Sequence, residues 1–248
     1  MLEVSGLSLE SRLTNVNLRL SAGQMVGVIG ANGAGKSTLL KLLAGLLTPS
    51  SGGSVWQQLD LHHINPSQRR QQLAYIAQQT LVNEAVTVAY ALQVSQVNLA
   101  QTKSQLRHYR QQTSAEFGLT ELLQRPVTDL SGGELKRVQL ACGLIGQQPL
   151  ILADEPIASL DLRHQLETLM LLKQRADNGA LVLVALHDLA LAARFCQQLV
   201  LLHQGQLLAV GEPAEVLSKS LLQQAYQVEV EWVCHQHGVA MLPRLLTD

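Results

Sequence analysis

Three cysteines, Cys142, Cys196 and Cys234, are scattered along 248 residues. The number is odd and the spacing matches neither a disulfide framework nor a metal site, which fits a reducing cytosol and small core hydrophobes. Charge of either sign is also lacking in excess: the formal net charge is −1 at pH 7. That removes the electrostatic case for nucleic acid as the main partner. No apolar run approaches the ~18–20 residues of a membrane-spanning helix. The longest candidates, Leu150–Ala153 and Leu181–Leu186, have the length of buried strands. Met1-Leu2-Glu3-Val4 has no basic segment followed by an apolar one, which predicts no signal peptide. Neither His62-His63 nor His235/His237 brings cysteines or acids at ligand spacing, so both pairs read as solvated loops rather than zinc sites. The chain is long enough for one large or two small domains with a real core.

Residues Gly30-Ala31-Asn32-Gly33-Ala34-Gly35-Lys36-Ser37 spell G-x-x-x-x-G-K-S, directly after the apolar run Met25–Ile29. This predicts a strand, a glycine-rich turn, and a helix beginning near Lys36 and running to about Leu47. Such a turn aims consecutive backbone N–H groups at phosphate oxygens, and the helix N-terminus adds donors and partial positive charge. Lys36 would reach the β- and γ-phosphates, and the Ser37 hydroxyl would ligate Mg²⁺. Downstream, Leu150–Ala153 is an apolar strand that ends in Asp154-Glu155. Acids at the C-terminal end of a parallel strand face the ligand crevice of an α/β sheet. Asp154 would hold Mg²⁺, and Glu155 would orient or deprotonate an attacking water; the bland alternative is a pair of solvated loop acids. Leu130-Ser131-Gly132-Gly133-Glu134 also has two readings. Ser131 and Glu134 form a capping box for a helix over Leu135–Ile145. Two glycines in a first helical turn cost about 1 kcal/mol each relative to alanine, and a simple cap needs neither, so the helix start could instead bind an anion arriving from outside.

Between these motifs the texture changes. Val16, Leu18 and Leu20 alternate as a half-exposed strand, Thr48–Gly53 reads as a turn, and Leu73–Ala77 is a short strand ending at Gln78. From about Thr87 to Gln148 the pattern is helical, with Gln93–Phe117 read as one long polar helix. Strand–helix alternation then resumes through Leu162–Ala176, Leu181–Leu186 and Leu189–Phe195. A hairpin is expected around Gln204-Gly205.

With these motifs in this order, the chain resembles the ATP-binding subunit of an ABC transporter over nearly its whole length. Three lesser motifs match as well: Gln78 as the Q-loop glutamine, Ser159-Leu160-Asp161 as the D-loop, and His187 as the switch histidine. The resemblance implies an α/β, P-loop NTPase fold: a RecA-like core over 1–78 and 149–248 with an antiparallel β subdomain, and an inserted α-helical subdomain over about 79–148. It implies ATP and Mg²⁺ as ligands. Gly30 to Ser37 and Thr38 would bind the nucleotide, and Ser37, Gln78 and Asp154 the metal. Glu155, His187 and Gln78 would carry the catalysis. It further implies a head-to-tail dimer in which Ser131, Gly132, Gly133 and Asp161 of one copy meet ATP on the other.

The resemblance is nearest the importers of vitamin B12, ferric siderophores or haem, through Leu186-His187-Asp188-Leu189 and Gln223-Gln224-Ala225-Tyr226. The family usually places an aromatic residue between its first two strands to stack on adenine. Here Leu9-Glu10-Ser11-Arg12-Leu13 has none, and Arg12 is expected to stack its guanidinium on the base instead. Vitamin B12 ATPases share a similar stretch, which favours cobalamin, with ferric siderophore or haem second. The roughly 90 residues between the phosphate loop and LSGGE are too few for the long coiled coil of chromosome-maintenance relatives. A soluble ATPase of iron–sulfur cluster assembly is the rival from another class. An importer implies two permease subunits, indirectly a substrate-binding protein, and a peripheral place on the cytoplasmic face of the inner membrane. A groove lined by residues of Tyr75–Thr80 and Leu81–Val94 would receive a permease helix.

Overall fold

Two sheets organise the chain, in a computed structural model that describes residues 1–78, 86–97, 99, 101–235 and 238–245. The elements are β1 (Leu2–Leu9), β2 (Leu13–Leu20), β3 (Gln24–Ile29), α1 (Lys36–Leu43), β4 (Ser51–Trp56), β5 (Leu59–Asp60), α2 (Pro66–Gln72) and β6 (Leu73–Ile76). Then follow α3 (Val88–Val94), α4 (Lys103–Glu116), α5 (Gly132–Leu144), β7 (Leu150–Asp154), α6 (Leu162–Asp177), β8 (Leu181–Ala185) and α7 (Leu189–Phe195). The chain closes with β9 (Gln198–His203), β10 (Gln206–Gly211), α8 (Pro213–Val216), α9 (Lys219–Tyr226), β11 (Val228–His235) and β12 (Gly238–Leu245). One sheet has the order β2-β1-β4-β5, the second β10-β9-β3-β8-β7-β6, and β11 and β12 form a separate ribbon. The first is antiparallel; in the second, β9, β3, β8, β7 and β6 run parallel and β10 is antiparallel at the edge.

Period-two alternation along the parallel strands divides the interior into two cores. Val26 and Val28 of β3, Leu150 and Leu152 of β7, and Leu181 and Leu183 of β8 face one core, with α1 and the antiparallel sheet. Met25 and Ile29, Ile151 and Ala153, and Val182 and Val184 face the other. Strands buried on both faces read as continuous apolar runs, as β7 and β8 do. Apolar residues of α3 and α5 (Val88, Leu92, Val138, Leu140, Leu144) join the second core, so the helical insertion shares its interior with the sheet.

Three local expectations need correction. Helix α1 ends at Leu43, not Leu47: Gly45 takes a φ of 66°, its N–H bonds to Leu42 O, and Leu46 N–H bonds to Lys41 O, the pattern of a Schellman stop. Residues 51–53 belong to β4 rather than to a turn. Gly52 lies against Gly6 where the β1–β4 register shifts, and a Cβ on it would sit 2.2 Å from Gly6 O, so this glycine serves close backbone approach. The long helix over Gln93–Phe117 is two helices. Helix α3 stops at Val94, and α4 starts afresh with a Thr102/Gln105 capping box, a T-x-x-Q signal that was readable in the sequence.

Candidate active site

The phosphate loop lies between the end of β3 and the start of α1. Gly30, Gly33 and Gly35 take φ values of 149°, 79° and 102°, a region L side chains rarely enter. At Gly30 sterics add a second demand, because a Cβ would fall 2.3 Å from Leu202 O. Ser11, Arg12, Asn32 to Thr38, Glu155 and His187 line one cavity of about 340 Å³. Arg12 reaches it because the β9–β10 hairpin turn, Gln204-Gly205, ties the β1–β2 turn to the loop: Thr14 N–H bonds to Gly205 O at 2.8 Å and Gly205 N–H to Ala34 O at 3.1 Å. If Arg12 stacks on the base, Arg12→Ala should weaken ATP and ADP alike by about 0.5–2 kcal/mol, read by calorimetry. Unchanged affinity for both would remove Arg12 from the site.

Lys36 is only 6% exposed. Its Nζ donates to Gly30 O at 2.7 Å and Ala31 O at 3.1 Å, so the ammonium already sits inside the curl of the loop. Burial lowers its pKa, while Glu155 and Asp154 pull it back up. Ser37 Oγ donates to Asp154 Oδ1 at 2.9 Å, which joins two of the three residues assigned to metal binding. Tyr75, a contributor that motif reading missed, points its hydroxyl at Asp154 Oδ2 from 3.5 Å. Burial raises the Asp154 pKa, the Ser37 bond opposes the rise, and Glu155 adds to it. A hydroxyl beside a carboxylate is a hard oxygen donor pair, which suits Mg²⁺.

The three residues assigned to catalysis meet because β6, β7 and β8 are neighbours and parallel. Ile76 pairs with Ala153 and Asp154 with Ala185, so Gln78, Glu155 and His187 all follow strand ends on one edge. Gln78 Nε2 donates to Glu155 Oε2 at 2.7 Å, and His187 Nε2 meets Glu155 Oε1 at 2.5 Å. An ionised carboxylate only accepts, so His187 donates through Nε2. Glu155 itself takes a φ of 48°, a strained setting for a non-glycine residue at a strand end. A second unforeseen residue, Lys136 on α5, donates to Gln78 O at 3.1 Å.

Ser131, Gly132, Gly133 and Asp161 line no part of this cavity. Ser131 and Glu134 form the expected capping box at the start of α5. Among the described residues a Cβ on Gly132 or Gly133 would meet nothing within 4 Å, so packing against them does not call for glycine at either position. Asp161 caps α6, accepting from His164 N–H at 2.9 Å. A larger cavity of about 660 Å³ lies among Glu116, Arg137, His164 and Met170, and it has no glycine-rich backbone to hold phosphate.

A family model described as ABC transporter matches residues 13–158. The hemin import ATP-binding protein of Rhodopseudomonas palustris (strain BisA53) is 38% identical over 239 residues, covering 92% of this chain and 85% of that protein. The cobalamin import ATP-binding protein of Halobacterium salinarum (strain ATCC 29341 / DSM 671 / R1) is 35% identical over 236 residues, 92% of this chain and 59% of that protein. Among solved structures, the dimeric post-hydrolysis state of the ATP-binding cassette MJ0796 bound to ADP and Pi matches with a TM-score of 0.75 at 25% identity, over 86% of this chain and 99% of that one. The chain belongs to the ABC transporter family, as an ATP-binding protein whose chemistry is ATP hydrolysis.

Proposed function

We propose that this chain is the ATP-hydrolysing subunit of an importer for a metal tetrapyrrole, cobalamin or haem, working through a separate membrane permease. The observation that carries the importer reading is a groove of about 440 Å³ beside Gln78, walled by Tyr75, Val86, Tyr90, Val94, Leu135 and Cys142. Tyr90 is 54% and Val94 44% exposed, an apolar surface that a buried partner helix would explain. It lies where a permease helix is expected, although Leu81 and the rest of 79–85 fall outside the described residues. Ser11-Arg12-Leu13 favours cobalamin, and the hemin-import relative favours haem.

The geometry supports the following mechanism. Backbone N–H groups of Gly33 to Thr38 cradle the phosphates, and Lys36 turns from the Gly30 and Ala31 carbonyls toward phosphate oxygens. Mg²⁺, held by Ser37 and Asp154 with Gln78 alongside, would offset phosphate charge. Glu155, oriented by Gln78 and His187, aligns the attacking water and takes its proton. Ser131, Gly132 and Gly133 of a second copy close over the γ-phosphate, with Asp161 near the same interface, so a two-fold dimer makes two composite sites. The core, 1–78 and 149–248, and the helical segment, about 79–148, move as two hinged units about Gln78. Among the described residues no helix is long and apolar enough to cross a membrane. As an importer subunit it sits peripherally on the cytoplasmic face of the inner membrane, carried by two permease subunits, with a substrate-binding protein on the far side.

Co-purification with the permease encoded beside it, followed by uptake of labelled cobalamin or haem into proteoliposomes, tests this reading. Tyr90→Asp or Val86→Asp should cut recovery of the complex about tenfold or more, as for loss of an interface anchor. Soluble ATPase activity should stay near wild type. Stable binding to a soluble iron–sulfur scaffold and to no membrane protein would replace the importer reading with its rival.

A further inference from the structure

Lys136 is a buried cation with no part in the family's motifs as matched above. It sits in the first turns of α5, three residues past Gly133, and is only 6% exposed. Burying a lysine ammonium is costly, and leucine or methionine would fill the same space without that cost. Its charge is drawn toward Asp154 and Glu155, and the lysine adds a hydrogen bond that neither apolar side chain would make: Nζ donates to the backbone carbonyl of Gln78 at 3.1 Å. The other polar end of the same glutamine, Nε2, donates to Glu155 Oε2 at 2.7 Å. Gln78 is thus held at its backbone by α5 while its side chain holds the hydrolytic carboxylate. Helix α5 is also the helix whose start has Ser131 and Gly132 exposed and Gly133 half-buried, with space among the described residues beside both glycines.

We propose that Lys136 is a positioning residue for hydrolysis: it fixes Gln78 against α5, so that the place of this helix sets the orientation of Glu155. The inference rests on the ATPase reading and on the composite site. A γ-phosphate of the partner subunit that draws on the start of α5 would, through Lys136 and Gln78, act on Glu155 of the same chain. The two sites of a dimer would then be linked by a single rigid helix and two hydrogen bonds. Each link is short and direct, and none passes through residues 79–85.

The test is steady-state Mg-ATP hydrolysis by Lys136→Met and Lys136→Arg, alone and combined with Gln78→Ala. Lys136→Met should lower kcat about tenfold and move KM for ATP less than about twofold, the scale of one lost charged hydrogen bond felt only in turnover. Lys136→Arg, which keeps a cationic donor, should restore most of kcat. In the Gln78→Ala background the glutamine side chain no longer reaches Glu155, so Lys136→Met should cost little more. Equal losses from Lys136→Met with and without the Gln78 side chain would overturn the proposal. So would a loss that follows a lowered melting temperature and is not restored by arginine. A wild-type chain that hydrolyses no Mg-ATP would instead count against the ATPase reading, which keeps the two failures apart.

Discussion

Replacing Glu155 by glutamine is expected to leave ATP bound and to slow its hydrolysis at least about a hundredfold, the scale of losing a positioned general base. The substitution conserves size but removes the carboxylate proposed to accept a proton from water. It also disturbs the triad. The carboxylate accepts from Gln78 Nε2 on one oxygen and from His187 Nε2 on the other. A glutamine amide offers one acceptor and one donor, so one of those two partners would face a second donor and turn away. Glu155→Gln should therefore accumulate an ATP-bound form, seen as retained nucleotide after gel filtration and near-normal affinity by calorimetry. Turnover close to wild type would show that Glu155 is not the base.

The second large effect is on binding. Lys36→Ala should weaken Mg-ATP about ten- to a hundredfold, the loss of charge-assisted hydrogen bonds to phosphate. In this structure the ammonium bonds to Gly30 O and Ala31 O. Lys36 itself lines the open cavity, so water can enter where its ammonium sat and the fold should persist. Circular dichroism of the apo variant should match wild type while isothermal titration loses most of the ATP signal. Undiminished ATP affinity would mean that phosphate is bound elsewhere on the chain.

The local pieces of this protein were legible because their chemistry is local. A phosphate cradle needs glycines, a lysine and a hydroxyl within eight positions, and a capping box needs Ser131 and Glu134 three apart. Strands β7 and β8 announced themselves as apolar runs because both their faces are buried. Reading failed where one signal served two purposes. Residues 48–53 looked like a turn because turns and close strand contacts both recruit glycine, and Gly52 serves the second purpose. The break before α4 was overlooked because the polar run continues across it, although Thr102 and Gln105 mark the new start.

Order along the chain pointed to the class of site and to candidates for its members, since each motif carries its own residue types and its own neighbouring strand or helix. Which of them touch is a matter of topology alone. Ser37 and Asp154 meet across 117 positions, Gln78 and Glu155 across 77, and Glu155 and His187 across 32. Those distances close only because β3, β8, β7 and β6 lie side by side and parallel, with their C-terminal ends on one edge of the sheet. The same packing brings Tyr75 to Asp154 and Lys136 to Gln78, contacts whose partners belong to different elements and leave no mark in either segment. A tyrosine on a strand and a lysine on a helix are ordinary residues in one dimension. Their placement beside Asp154 and Gln78 sets them apart, and that placement is a property of the folded chain.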